Sequence, residues 1–531
     1  MTRLLLIAGA GLVCAVQPAS AQRLQVAPYI EASQVLTSDL TNGADLLTYS
    51  TIGAGVDVTA QTRRVEVQVS YNYERRFAYD KQLANDQTHS GLARVRARVT
   101  PALSIEAGAI ATRTRSDIRG DALVTDQGNV RNSSQIYSAF IGPNLSTNIG
   151  PLFANAAYRF GYTKVEAPFA TGVAPGQPRL DYYDDSKVHV ATASIGAKSG
   201  TILPVGVTAS GSFTREDAGQ LDQRFEGKFL RGDVVVPVSR GVAVAGGVGY
   251  ENIEISQRDA LLTPAGAPVV DNRGRFVTDP SSPRRIAYDF DGLFWDAGVI
   301  WRPSSRTFLE ARVGRRYGSM SYTGSASYEI GKGSGVQIGV YDSVETFGQQ
   351  VGNSLSSLPT SFQTSNDPFG NQYSGCIYGT TGAAAGGCLN QVFASSATSA
   401  FRSRGITGVA VLNTRGTRIG VGGGYSRRDF IAPRSTGTVS INGVTDEAVY
   451  AQLFASGEVG RNGSVSSSLF ASYTDTDLAG AEGVLGWGAN TAYTHSFGQL
   501  GAIASLGLFG FERDGDTSAS AQALVGLRYG F

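Results

Sequence analysis

Apolar and polar side chains alternate with a period of two through most of this chain. Val65, Val67, Val69, Tyr71 and Tyr73 alternate with Arg64, Glu66, Gln68, Ser70, Asn72 and Glu74. In an extended strand every apolar group then falls on one side. Ala93, Val95, Ala97 and Val99 alternate in the same way with Arg94, Arg96 and Arg98. Further runs are Leu152, Ala154, Ala156, Tyr158, Phe160 and Tyr162; Leu293, Trp295, Ala297, Val299 and Trp301; and Val465, Ser467, Leu469, Ala471 and Tyr473. Such runs extend to about ten residues, longer than the usual five or six and enough for a tilted strand to cross a bilayer. No helical period competes after the N-terminal segment.

The connections alternate as well. Short turns are expected near Thr100-Pro101, Gly150-Pro151, Ser239-Arg240, Arg302-Pro303, Gly333-Ser334, Arg415-Gly416, Arg461-Asn462-Gly463 and Gly498-Gln499. Longer polar segments lie between them, at roughly 116–134, 165–186, 256–289, 342–403 and 429–446. Short turns at one end and long loops at the other predict an all-β fold, a transmembrane antiparallel up-and-down β-barrel. The parse gives about 22 strands, and its boundaries accommodate 16 to 24.

The two ends of the chain fit an exported barrel. Arg3 precedes an apolar stretch at 4–16, Pro18 breaks it, and Ala19-Ser20-Ala21 supplies the small residues of a cleavage site. The expectation is a signal peptide at 1–21 and one barrel domain at 22–531. Cys14 follows Val13, where a lipid-anchoring site needs a small residue, so a lipoprotein is disfavoured. At the other end Val525, Leu527, Tyr529 and Phe531 fall at steps of two. That ending resembles the signal by which barrels are handed to the outer-membrane assembly machinery. The expected setting is the outer membrane of a Gram-negative cell, with its lipid and lipopolysaccharide as surroundings. Strand pattern begins almost at once after Gln22, which leaves no room for a plug domain there and disfavours an active transporter.

Composition narrows the class further. Charged residues make up 17%, below the usual quarter or so, yet a mean hydropathy of -0.08 is not that of a helical membrane protein. Gly 67, Tyr 23 and Phe 24 against Pro 18 suit glycine- and aromatic-rich strands. A net charge of +1 gives no sign of a nucleic-acid partner.

Candidate chemistry is sparse. The 3 histidines (His89, His189, His495) lie far apart, and no H-E-x-x-H, C-x-x-C or phosphate-loop motif occurs. No catalytic residue, metal or cofactor is expected. Gly422-Gly423-Gly424 marks close strand packing rather than ligand contact. Arginine stands out, because of 45 basic residues only Lys81, Lys164, Lys187, Lys198, Lys228 and Lys332 are lysines. A charge facing lipid at mid-depth costs about 2–4 kcal/mol, so the alternation sends Arg64, Arg94, Arg96, Arg98, Arg306, Arg312 and Arg316 toward the lumen. Such a ladder suits an anionic solute. The competing reading is neutralisation by Glu66, Glu74, Glu106 and Glu310. Cys376 and Cys388, both in the longest loop, are expected to form a disulfide. That loop either folds into the barrel or stays at the surface; the sequence leaves both open.

One block carries a family resemblance. Trp301-Arg302-Pro303-Ser304-Ser305-Arg306-Thr307-Phe308-Leu309, followed by Gly314-Arg315-Arg316-Tyr317-Gly318, resembles the Trp-x-Pro-Ser-Pro-Arg-Thr block of the PEP-CTERM-associated barrels among the outer-membrane β-barrel porins. Ser305 departs from the family pattern, which has a second proline there. The resemblance implies a barrel linked to exopolysaccharide systems and carries over no functional residues. The leading functional expectation is a passive pore or export channel for an anionic polysaccharide or small anion. A non-conducting surface barrel whose loops bind a partner is the alternative, and an outer-membrane hydrolase is less favoured.

Overall fold

The computed structural model describes residues 23–41, 46–79, 86–118, 133–166, 182–272, 275–331, 333–363, 373–380, 385–394, 396–433, 441–478 and 480–531. The expected signal peptide, with Ala19 and Ala21, lies outside the described residues. From Arg23 onward, 22 antiparallel strands form one ring. Each strand pairs with its barrel neighbours in chain order. The ring closes where the first strand, Arg23–Asp39, pairs with the last, Asp516–Gly530, over eleven residue pairs from Tyr29 with Gly530 to Asp39 with Ser520. Closure lets backbone N–H and C=O groups be satisfied in hydrocarbon, where an open edge is untenable.

Strand length matches the bilayer. The shortest barrel strand, Thr307–Arg316, has 10 residues and the longest, Arg285–Ser304, has 20. Ten residues at about 3.3 Å each, tilted by about 40°, rise about 25 Å, the height of an outer-membrane belt. One end of the ring carries short connections such as 62–64, 99–102, 150–151, 238–241, 415–416 and 498–499. The other end carries 116–132, 167–184, 258–284, 346–399 and 432–444, each within a few residues of its expected position. The turn expected at Arg302-Pro303 falls instead at 305–306. A register shift between Trp301 and Ser304 accommodates Pro303, which has no N–H to donate to a ladder. At the loop end, Asp514 and Gly515 have φ of 50° and 81°, the left-handed pair of a tight hairpin turn.

Outward and inward faces follow the alternation. Leu293, Trp295, Val299 and Trp301 all point outward, Leu293 being 77% exposed on the isolated chain. Val525, Leu527, Tyr529 and Phe531 share this face. The histidines also face outward, each held by a tyrosine of an aromatic band. Tyr71 Oη lies 2.6 Å from His89 Nδ1, Tyr158 Oη 2.8 Å from His189 Nδ1, and Tyr493 Oη 2.9 Å from His495 Nδ1. Toward the loop end the outward rows turn charged: Arg215 and Arg224 both hold Asp217 at 2.8 Å. That change marks where the strands leave lipid.

The inner wall is thin where glycine meets an aromatic ring. A Cβ on Gly55 would lie 2.3 Å from the ring of Tyr29, and one on Gly249 would lie 2.3 Å from Phe294. Large rings therefore lie flat against the wall where glycine leaves space for them.

Candidate functional site: a lumen occupied by the longest loop

The described parts of the loop at 346–399, namely 346–363, 373–380, 385–394 and 396–399, fold down inside the barrel. The first of them holds a helix, Phe347–Ser357, which the sequence reading did not anticipate. Phe347, Val351 and Leu355 repeat every four residues and line one buried face. Thr346 caps the helix by accepting from the Gln349 N–H. The helix packs in one apolar cluster with Leu92, Ile110, Ile136 and Val165. These four lie on consecutive strands and on the face that should be wet.

Both helix ends meet polar side chains of the wall. At the N-terminus the Thr346 hydroxyl donates to the buried Glu216 carboxylate. At the C-terminus Arg94 Nη2 donates to Ser356 O at 3.0 Å, and Arg159 donates to Ser356 Oγ and Asn353 Oδ1. The two arginines put positive charge at the C-terminus, as a helix dipole favours.

Beyond the helix the chain continues to the short-turn end. Gln68 imitates a ladder partner: its Nε2 donates to Phe362 O at 2.7 Å, and Phe362 N donates to its Oε1 at 2.9 Å. Phe362–Gln363, Cys376–Gly379 and Gly386–Cys388 then form a small antiparallel sheet. A Cβ on Gly333, in a short turn, would lie 3.3 Å from Thr380 O, so the loop spans the bore. Within this sheet Cys376 and Cys388 form the expected disulfide. It rests on Gly422, where a Cβ would lie 2.3 Å from one sulfur and 2.6 Å from the other. Gly424 lies beneath the Tyr450 ring, so close packing explains this glycine run.

Further bonds fix the loop to the wall. Arg418 Nη2 donates to Gly379 O at 2.8 Å, and Cys376 N donates to Gln452 Oε1 at 2.8 Å. Arg428, 1% exposed, donates to Gln350, Gln391 O and Val392 O. Tyr373 donates to Ser70 Oγ at 2.8 Å. Burial pushes the Tyr373 phenol up to about 12, so it stays protonated as a donor.

The predicted arginines divide by position. Arg94, Arg96 and Arg98 face the lumen, as do Arg312 and Arg316, whereas Arg64 and Arg306 sit in the short turns 62–64 and 305–306. Those on the far wall are matched by carboxylates. Arg312 holds Glu310 at 2.5 Å, Asp233 at 2.9 Å and Asp296 at 3.0 Å. Arg231 shares Asp233 at 2.7 Å and Asp296 at 2.5 Å. Here three carboxylates meet two guanidiniums. Arg316 is bidentate on Glu251, at 2.5 and 2.8 Å. Neutralisation therefore describes this wall better than an anion ladder. Arg96 has Glu106 at 3.6 Å, and Arg94 serves the helix. Arg159, Arg231, Arg418, Arg428 and Glu216 also serve this interior, beyond the residues expected from the sequence. All follow the same inward parity, which was the available signal.

A closed ring of 22 strands with an apolar exterior and a charged, hydrogen-bonded interior defines an integral outer-membrane β-barrel. No family model matches the chain, and no curated protein matches it. Solved structures similar to it include the ferric-catecholate import receptor Fiu from E. coli K12 in its open form. That match has 11% identity over 97% of this chain and 82% of that one, with a TM-score of 0.43. The FrpB iron transporter from Neisseria meningitidis matches at 11% identity, over 95% of this chain and 81% of its own, with a TM-score of 0.40. The siderophore receptor PiuA from Acinetobacter baumannii matches at 10% identity, over 94% and 82%, with a TM-score of 0.41. These are likenesses of one large barrel to another and carry nothing about cargo or mechanism.

Proposed function

We propose that this chain is an outer-membrane channel whose bore is narrowed by its own loop, 346–399, and which passes small hydrophilic solutes by diffusion. The observation that carries the reading is the set of buried polar anchors between that loop and the wall, from Glu216 at the helix N-terminus to Gln68 near the short-turn end. Anchors of this kind define a fixed constriction rather than a loose surface loop. The charge-balanced wall around Arg231 and Arg312 supports weak overall ion selectivity. An export conduit for an anionic exopolysaccharide draws on the resemblance at 301–318 alone, and a polymer would need the loop to move aside. The outward Val525, Leu527, Tyr529 and Phe531 support recognition by the assembly machinery, and lipid with lipopolysaccharide would cover the apolar face.

Planar-bilayer recording of the purified protein tests the reading against a variant in which a short Gly-Ser link replaces 347–399. The expected result is small defined steps from the wild type and several-fold larger steps from the variant. A silent wild type beside a conducting variant selects the second reading, a barrel held shut whose loops engage a partner. Silence from both sinks the channel.

A further inference from the structure

The lumen is electrically lopsided. Against the acid-rich wall around Arg231, the strands Asp86–Arg98 and Leu152–Glu166 turn Arg94, Arg96, Arg98 and Arg159 inward. Glu66 is paired in register with Arg96, and Glu106 also opposes Arg96 from the next strand. Two carboxylates thus face four guanidiniums, a local excess of positive charge.

A cavity of about 210 Å³ opens in this patch, lined among others by Glu106, Phe140, Asn144, Arg159, Thr192 and Ser356. At about 30 Å³ per water it has room for about seven waters, the size of a hydrated oxyanion or one sugar-acid ring. The wall makes the space at Pro143. Pairing runs from Ile141 with Phe160 to Asn144 with Ala157 and skips Gly142 and Pro143, since proline has no N–H to pair. Beside the cavity Arg94 is 4% exposed, and its Nε and Nη1 have no hydrogen-bond partner. A buried guanidinium without full pairing is costly, and its positive charge beside the cavity favours an oxyanion there. Phe140 lies 5.2 Å from the Arg94 guanidinium and 5.8 Å from that of Arg159, holding both forks in place.

We infer that this cavity is an oxyanion site: Arg159 receives a phosphate or a sugar-acid carboxylate, Arg94 behind Phe140 adds positive charge, and Asn144 and Thr192 are placed for the ligand's hydroxyls. The inference rests on the channel reading only for how the anion arrives.

Calorimetric titration of the full-length protein in detergent tests it, using inorganic phosphate and glucuronate as separate probes. The wild type should bind at least one of them, more weakly in 0.5 M NaCl than in 0.05 M. Arg159→Gln should lose about tenfold or more in affinity, while Arg312→Gln on the neutralised wall should match the wild type. Arg94→Lys keeps the charge without the fork and should bind better than Arg94→Gln. Heat-modifiable gel migration confirms that each variant has folded. Binding of phosphate alone or glucuronate alone supports the site and names its ligand. No heat with either probe, or unchanged affinity in folded Arg159→Gln, overturns it. A silent channel that still binds fails the pore and leaves the site; a conducting one that binds neither does the reverse.

Discussion

Replacing Arg428 by Met should loosen the loop inside the barrel without unfolding the barrel. Arg428 is 1% exposed, and its Nη2 donates to Gln350 Oε1 at 2.5 Å, to Val392 O at 2.9 Å and to Gln391 O. One bond holds the helix and the others hold the chain at 391–392, so a single side chain ties two parts of the loop to the strand Thr417–Ile431. A nitrogen with two hydrogens makes at most two full bonds, each worth about 1.5–3 kcal/mol when the donor is charged. Their loss therefore costs about 3–6 kcal/mol, and the methionine side chain returns about 1 kcal/mol by filling the space. The remaining 2–5 kcal/mol or so is a shift of roughly 30- to 5,000-fold in the equilibrium between docked and released loop. Hydrogen exchange reads it directly: amides at 347–358 and 389–394 should lose protection by about that factor, while strand amides keep theirs. In bilayers the variant should visit the conductance of the loop-deleted form. Loop protection within a few-fold of wild type, in a barrel of unchanged strand protection, would refute the anchoring role.

Other changes separate the parts. Serine at both Cys376 and Cys388 opens a bridge between residues 12 apart, worth about 3 kcal/mol by chain entropy. Faster exchange should stay within 373–388, with barrel stability in urea unchanged. Gly249→Leu places a side chain where a Cβ would lie 2.3 Å from Phe294, so the folding free energy from urea titration in vesicles should fall by about 1–3 kcal/mol. Gly232→Ala, with nothing within 4 Å of its Cβ, should be neutral in the same assay. The raised Tyr373 pKa means the folded state holds that proton more tightly than the unfolded chain. Docking should therefore weaken as pH rises from 10 toward 12, and Tyr373→Phe should reduce that dependence of loop exchange.

The wall of this protein is legible in its sequence because each strand reports its own two faces. Val65 to Tyr73 alternate with polar partners, and one shift of register would put charge into lipid at about 2–4 kcal/mol a residue, so parity is enforced locally. The same rule sends Arg94 and Arg312 inward, where one meets the helix and the other Asp233 and Asp296. What each meets there was not legible, because the partners are far away in the chain. Arg94 bonds to Ser356, 262 residues on, and Gln68 bonds to Phe362, 294 residues on. The helix left only a faint signal, Phe347, Val351 and Leu355 set among Gly, Ser, Asn and Gln.

A second trace is stronger and general in its physics. Leu92, Ile110, Ile136 and Val165 are apolar on the inward face of four consecutive strands and buried against the helix. A lumen filled with water gives no reason to place four large aliphatic side chains side by side, since burying each is worth about 1.5–3 kcal/mol only where something covers it. Alternation that fails on the wet face of adjacent strands therefore predicts a covering segment, and an amphipathic stretch in the longest loop names it. On that argument the loop at 346–399 is part of the fold of the bore, and its removal should expose those four residues as a hydrophobic patch inside the channel.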